Sequence, residues 1–261
     1  MVWARVKAVI WRHFYNFKHS WDRLSDAFYW PAMDIFIWGL TSMYIREATV
    51  EIPNIVMLLM TGLVFWMIVW RGQYEITVNL LEEMWNSNLV NLFTTPLTVY
   101  EWMMGVVVLG IAKMIMTISF AGILVYLLYA VNVFRFGWLI LPFMALLLMF
   151  GWSVGFIVAG LIIRFGMRIQ TLAWTGIYLL APFSAIYYPV SSLPAWAQTI
   201  AKWTPTSYVF EGMRSVIFTG TMDQANLIKS LGLTIIFFLS SIGFFLMMFN
   251  QSRKTGLARL E

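Results

Sequence analysis

Long apolar segments without charge are the feature that most constrains the fold of this chain. Residues 136–163 contain no Asp, Glu, Lys or Arg, and residues 52–70 contain none either. A helix needs about 20 mostly apolar residues to cross the hydrocarbon core of a bilayer. Of the 261 residues, 61% are hydrophobic and only 11% are charged, whereas soluble domains have about 25% charged residues. The sequence therefore predicts an all-α polytopic membrane protein.

Six segments are predicted to cross the membrane, within a single transmembrane domain that covers residues 1–261. The first is the most polar because it contains Asp34, the third contains Lys113, and the fifth contains Pro182 and meets Pro189. A proline inside a span breaks the helical hydrogen bonding at that point. The six predicted spans are residues 28–45, 52–71, 102–131, 137–163, 169–188 and 230–250.

The distribution of basic residues predicts the orientation. Six spans place both termini on one side, and lysine and arginine are more frequent in residues 1–23, at Arg164 and Arg168, and in the tail 251–261 than in the segments opposite. Basic residues are retained in the cytoplasm, so we expect both termini to be cytoplasmic, in the cytoplasmic (inner) membrane. The net charge of +5 does not indicate nucleic-acid binding, because the basic residues flank apolar spans instead of forming one patch.

Residues 1–27 are predicted to form an amphipathic helix in the membrane interface. Its apolar residues recur at helical spacing, and basic residues such as Arg5 and Arg12 lie opposite. The alternative is the first helix of a soluble subdomain. His13 and His19 are six residues apart and do not share a face, so we expect them to be solvated or at the lipid headgroups. The predicted apolar stripe contains Trp3, Val6, Ile10, Phe14, Phe17 and Trp21.

Two segments between spans are too long to be simple turns. Residues 73–101 lie on the predicted cytoplasmic side, look helical around residues 78–93, and end in a Thr98–Glu101 capping box. Residues 191–220 lie outside and are unusually apolar for a loop. They are predicted to form two short helices, each too short to cross the bilayer, and a shallow re-entrant hairpin is the favoured arrangement.

The sequence contains few residues that could catalyse a reaction or bind a metal. It has no cysteine and no glycine–lysine step, so a thiol nucleophile and a phosphate-binding loop of the P-loop type are excluded. The two histidines do not form a metal site, and we predict no metal and no enzymatic activity. The ionisable pair Asp34 and Lys113 could lie beside a water-filled path or in a buried ion pair. Alternatively, Lys113 snorkels and Asp34 lies at headgroup level.

Several short motifs, in this order and spacing, resemble those of the type-2 ABC exporter permeases. The resemblance extends over nearly the whole chain and includes the six spans, the amphipathic first helix and the external hairpin. The motifs are Asn91-Leu-Phe-Thr-Thr-Pro96-Leu-Thr, Ala181-Pro182-x-Ser184 with Tyr188-Pro189 and Leu193-Pro194, and Thr204-Pro205-x-x-Tyr208-x-x-Glu211-Gly212-x-Arg214.

The resemblance implies a permease subunit that works with two copies of a cytoplasmic ABC ATPase and with a second permease, usually as a homodimer. ATP and Mg²⁺ would be bound by the ATPase, and no cofactor by this chain. Residues 81–92, within the cytoplasmic segment 73–101, would form a coupling helix that docks on the ATPase, although an ordinary interfacial helix is the alternative. The implied coupling residues are Glu82, Glu83, Met84, Trp85, Ser87, Asn88, Leu89 and Leu92; those of the interface helix are Arg5, Arg12, Phe14 and Phe17; those of an external gate are Tyr208, Glu211 and Arg214.

The substrate is less well indicated. Polysaccharide exporters of the family usually have an arginine–aspartate step after the fourth span, whereas this chain has Arg164 and Arg168 without an aspartate between them. The resemblance therefore leans towards export of a drug, a lipid or a lipid-linked glycan, with a polysaccharide or O-antigen-type exporter as the alternative. Outside the family, a secondary transporter or a membrane-embedded enzyme would be the contrasting classes, and both lack support in the motifs.

Overall fold

The computed structural model describes residues 1–48 and 55–256, and over these residues the chain is helical, with no β-strand. The longest helices, α3, α5 and α10, each have 31 residues. In the described residues the α-helices are α1 Trp3–His19, α2 Trp21–Ala48, α3 Ile55–Trp85, α4 Leu89–Thr94, α5 Val99–Tyr129, α6 Ile140–Phe165, α7 Leu172–Thr175, α8 Ala195–Ala201, α9 Pro205–Thr219 and α10 Gln224–Lys254.

Helix α3 forms the centre of the fold and is buried along nearly its whole length. It packs against α2, α5 and α6, and α6 in turn packs against α10. Glycine makes the closest of these contacts possible: a Cβ atom at Gly151 of α6 would lie only 2.4 Å from the carbonyl oxygen of Val69. Helices in membranes associate closely where small residues line the contact. The apolar side chains of α3 are therefore covered by protein.

Four helices within the described residues are long and apolar enough to cross a membrane, namely α3, α5, α10 and α6 with the turns at its two ends. The first predicted span lies within α2, which is long enough but more polar. The fifth predicted span, 169–188, is not one helix. It consists of α7 and short 3₁₀ turns at Gly176–Leu179 and Ala181–Phe183. The structure thus confirms an all-helical fold in the described residues, with four helices that could span a membrane.

The helices of the structure differ in length from two of the predicted segments. The second predicted span, 52–71, begins in part outside the described residues, and its helix does not end at Arg71 but continues to Trp85. The charged side chains after residue 70 find partners inside the protein, so they do not end the helix. The helix predicted over residues 78–93 is correspondingly interrupted at residues 86–88, where Ser87 has a positive φ of 47°.

The N-terminal helix is shorter than the predicted 1–27. It ends at His19, because Ser20 has an extended backbone, and residues from Trp21 onwards belong to α2. Its buried face is also different from the predicted stripe: Val6, Val9, His13 and Phe17 are buried, whereas most of the aromatic residues of that stripe, including Trp3, Phe14 and Trp21, are exposed. The tail predicted over residues 251–261 is described only to residue 256.

The two short helices predicted in residues 191–220 are present as α8 and α9. Pro194 immediately precedes α8 and Pro205 is the first residue of α9, positions at which a proline does not cost a helical hydrogen bond. Helix α9 ends at Gly220, whose positive φ of 72° is favourable for glycine. The predicted capping box is also confirmed, with both Thr98–Glu101 hydrogen bonds in place.

Candidate functional site

The end of α3 carries two neighbouring glutamates that bind α1 and α2. Glu83 accepts a hydrogen bond from Arg12 Nη2 at 2.7 Å. Glu82 accepts one from Arg23 Nη2 at 2.9 Å and one from Asn16 Nδ2 at 2.9 Å. A carboxylate paired with arginine forms a charge-assisted hydrogen bond, and such bonds join Arg12 of α1 and Arg23 of α2 to the end of α3. They fix the first helix across the end of the third.

His13 lies between these two carboxylates and is only 2% exposed. Its Nδ1 is 3.6 Å from Glu82 Oε2 and its Nε2 is 3.7 Å from Glu83 Oε1. The expectation that His13 is solvated or at the headgroups is therefore wrong. The sequence contained a signal, since His13 is four residues after Val9 and four before Phe17 and so shares a helical face with both.

The turn between α3 and α4, residues 85–88, projects from this cluster and is called the coupling turn below. Trp85 is 45% exposed, and its ring stacks on Trp174 with centroids 6.1 Å apart. Ser87 is exposed as well. The turn is held from inside, because Asn88 Nδ2 donates to Glu83 Oε2 at 2.7 Å. The coupling turn is thus an exposed surface on a rigid base.

The residues predicted to couple to an ATPase fall into two groups. Trp85 and Ser87 are exposed, and Glu82, Asn88 and Leu92 are partly exposed, so these five can contact a partner. Glu83, Met84 and Leu89 are buried within the chain itself. A side chain that is already buried cannot fill a pocket of another protein, so the second group can act only by holding the turn in place.

The N-terminus of α1 binds the loop that leads into α5. Arg5 Nη1 donates to the carbonyl oxygen of Pro96 at 2.7 Å and lies 3.6 Å from Glu101 Oε2. The backbone N–H of Val2 donates to Glu101 Oε1 at 2.7 Å. Of the predicted interface residues, Arg5 and Arg12 therefore bind protein, Phe17 is buried, and Phe14 is exposed. Helix α1 braces both ends of the segment between α3 and α5.

A buried ion cluster lies deeper in the fold, around Glu75 of α3. Lys113 Nζ of α5 donates to Glu75 Oε2 at 2.7 Å, and Arg71 Nη1 lies 3.3 Å from Glu75 Oε1. Arg71 also donates to the carbonyl oxygen of Asp26 at 2.8 Å and to Thr117 Oγ1 at 3.2 Å. Lys113 is therefore in a buried ion pair and does not snorkel. Its partner is Glu75 and not Asp34.

Asp34 lies elsewhere, on the wall of a cavity of about 420 Å³ between α2, α3 and α7. Two exposed or partly exposed aromatic residues, Trp30 and Trp174, lie on the same wall. The carboxylate of Asp34 is exposed in the chain and has no ion pair or side-chain hydrogen bond among the described residues. Of the two predicted intramembrane ions, Lys113 thus has an opposite charge beside it, whereas Asp34 has none among residues 1–48 and 55–256.

Two of the three residues that were predicted to form an external gate, Glu211 and Arg214, contact each other on α9. Arg214 Nη1 lies 3.1 Å from Glu211 Oε1, and Glu211 Oε1 also accepts a hydrogen bond from the backbone N–H of Val190 at 2.6 Å. Arg214 Nη2 donates to the carbonyl oxygen of Ala185 at 2.9 Å. Burial lowers the pKa of Arg214 from its ordinary value, and the nearby carboxylate of Glu211 opposes that shift.

Tyr208, the third predicted gate residue, makes a separate contact. Its hydroxyl donates to the carbonyl oxygen of Lys202 at 2.9 Å, and the Lys229 ammonium lies 6.0 Å from its ring centroid. The Glu211–Arg214 pair thus ties α9 to the segment before α8, while Tyr208 ties it to the end of α8.

Comparison with known proteins identifies the family. The family model for ABC-2 type transporters matches residues 4–218, which include α1 to α9 except for the ends of the first and last of these helices. A search of curated proteins finds no match to this chain. The matched region covers well over half of the sequence and contains the coupling turn, the ion cluster and the hairpin. The chain therefore belongs to the ABC-2 type transporter family and is a membrane-embedded permease subunit of an ABC transporter.

Proposed function

We propose that this chain is the permease of an exporter that is driven by ATP hydrolysis in a separate ABC ATPase. The observation that carries the proposal is the continuity of α3. One uninterrupted helix joins the buried ion cluster at Glu75 to the exposed Trp85 of the coupling turn. A movement imposed on the turn by a partner is transmitted along a rigid helix to the core, with no flexible joint to absorb it.

The coupling turn has the composition of a docking surface. Large aromatic residues at the centre of an interface commonly contribute most of its binding energy, and Trp85 is the large exposed side chain here. Ser87, Glu82, Asn88 and Leu92 would surround it. Glu83, Met84 and Leu89 would support the turn from within, together with Arg12 of α1.

The assembly we propose contains two copies of this permease and two copies of the ATPase. ATP and Mg²⁺ bind to the ATPase, and this chain binds neither. The substrate is amphipathic, in the range of a drug, a lipid or a lipid-linked glycan, and moves outward by alternating access at the permease dimer. Lipids surround the complex, and nucleic acid has no part in it.

The topology that fits this function has six crossings, with both termini in the cytoplasm of the cell and the chain in its inner membrane. Helix α2 would be the first crossing and residues 169–188 the fifth. Helix α2 contains polar side chains, and residues 169–188 have an irregular backbone. A membrane protein tolerates both features where other helices cover them. The α8–α9 hairpin would dip into the outer face as an external gate, with Glu211 and Arg214 paired where water is scarce.

Copurification tests the proposal. An affinity-tagged chain is extracted from its native membrane in mild detergent, and the proteins bound to it are identified and quantified by mass spectrometry. We expect an ABC ATPase in an equimolar amount. Isolation of the folded chain as a homogeneous particle without any ATPase would overturn the proposal.

A further inference from the structure

The cavity that contains Asp34 has the size and lining of a small-molecule site. Its volume is about 420 Å³, and ligand pockets in proteins have volumes of about 300–1,000 Å³ with mostly apolar walls and a few polar groups. Four tryptophans and a tyrosine form much of its wall: Trp30, Trp66, Trp70, Trp174 and Tyr178.

Of the charged side chains that line the cavity, two have a polar partner within the described part of the chain and one does not. Arg71, which also lines it, is paired with Glu75, and Glu75 binds Lys113 as well. The carboxylate of Asp26 accepts a hydrogen bond from Tyr74. Asp34 alone has no such contact among the described residues that line the cavity. The cavity wall therefore presents an uncompensated carboxylate.

The aromatic and acidic residues of α2 share one face. Asp26, Trp30 and Asp34 are spaced by four residues, and side chains at that spacing lie above one another on a helix. Trp30 is 57% exposed and lies between the two carboxylates along the helix. Aromatic faces attract cations, most strongly where water is excluded, and cages of aromatic residues recognise quaternary ammonium groups.

We propose that this cavity binds lipophilic organic cations, with Asp34 as the counter-charge and Trp30 as an aromatic wall. The negative charge of Asp34 and the aromatic lining together indicate a cationic ligand. An anionic ligand would be repelled by the carboxylate of Asp34 and would have no opposite charge to bind. The inference rests on the proposed function, because such a ligand would be the exported substrate. It narrows the substrate to amphipathic molecules with a delocalised or quaternary positive charge.

Two probes of the same shape and opposite charge test the proposal, namely tetraphenylphosphonium and tetraphenylborate. Equilibrium binding of each to the purified chain in detergent is followed by tryptophan fluorescence, with protein-free micelles subtracted. In Asp34→Asn the affinity for the phosphonium falls about tenfold, the scale of a desolvated cation–carboxylate or cation–aromatic contact, while the affinity for the borate does not fall. Trp30→Ala weakens binding of the phosphonium, and Trp30→Phe restores part of it.

Asp22→Asn is the matched control, because Asp22 is an exposed carboxylate on the same helix that does not line the cavity. It leaves both affinities unchanged. The proposal is overturned if the wild-type chain does not bind the phosphonium, or if Asp34→Asn binds it as tightly as the wild type. The binding assay contains no ATPase, so its outcome is independent of the copurification. A failed binding assay would not affect the copurification result, and a failed copurification would not affect the binding result.

Discussion

At the scale of single residues, the ionisable side chains in the interior are explained by their partners. Sequence analysis found Lys113 but not Glu75, which is 38 residues away along the chain and was placed in the predicted cytoplasmic segment. It also expected His13 to be solvated or at the lipid headgroups, whereas the side chain is buried between Glu82 and Glu83. Pairing over such distances depends on how helices meet, which the periodicity of one segment does not contain.

The buried ion cluster gives the first prediction. Removal of one partner of a buried ion pair costs about 3–5 kcal/mol, because the other charge remains without compensation. We expect Glu75→Gln and Lys113→Met each to lower the thermal unfolding midpoint of the purified chain. The double variant should recover part of the loss, since it removes one charge of each sign. Single variants as stable as the wild type would contradict the assignment, and Asp22→Asn serves as the control.

The second prediction concerns the pair on α9. Glu211→Gln should destabilise the chain more than Arg214→Gln, because it leaves the arginine, whose side chain is only 10% exposed, without its counter-charge, whereas Arg214→Gln leaves a glutamate whose side chain is 31% exposed. An unsatisfied buried polar group costs about 1–3 kcal/mol. Exchange of the two side chains should not restore stability, because it would place a guanidinium against the N–H of Val190 and a carboxylate against the carbonyl oxygen of Ala185. Both contacts would be repulsive.

Thermal unfolding midpoints of the two single variants and the exchanged variant distinguish these cases. Full recovery in the exchanged variant would mean that the two side chains interact only with each other.

At the scale of elements, local sequence rules predicted a helix end correctly where a residue with a specific backbone role occupies that end. The capping box at Thr98 is such a case. Local rules failed for α3, where Arg71 was interpreted as the end of a span. A charge ends a membrane helix only if it must reach water, and here Glu75 and Thr117 satisfy Arg71 inside the protein.

The coupling turn gives the third prediction. Trp85→Ala should weaken association with the ATPase by about 2 kcal/mol or more, as is common for a central aromatic residue of an interface. Trp203→Ala is the matched control, because Trp203 is also an exposed tryptophan but lies between α8 and α9, in the segment that we propose to be external. The yield of ATPase that copurifies with each variant measures the effect. Equal yields for the two variants would exclude Trp85 from the interface.

At the scale of the whole molecule, the sequence predicted the membrane class and the family from composition and motif order. It did not predict which faces of the helices meet, and hence it missed the cavity wall formed by Asp34 and the tryptophans of three helices. Contacts between helix faces depend on close approaches such as that of Gly151 of α6 to the backbone of α3. A glycine in a membrane helix permits such an approach but does not identify its partner.

The fourth prediction concerns topology. The absence of cysteine allows a single thiol to be placed at Ser87→Cys or at Thr199→Cys, both at exposed positions. In sealed cells, a membrane-impermeant thiol reagent should label the second position and not the first. Opening the membrane should expose both. Labelling of both positions in intact cells would contradict the six-crossing arrangement.

The central claim is that the coupling turn contacts the ATPase, and a site-specific cross-link tests it most directly. A benzophenone maleimide attached to Ser87→Cys in the membrane complex is photoactivated, and the products are identified by mass spectrometry. We predict a covalent adduct between this 30.3 kDa chain and an ABC ATPase from position 87, and none from the same reagent at Thr199→Cys. An ATPase adduct from position 199, or none from position 87 in an intact complex, would contradict the account.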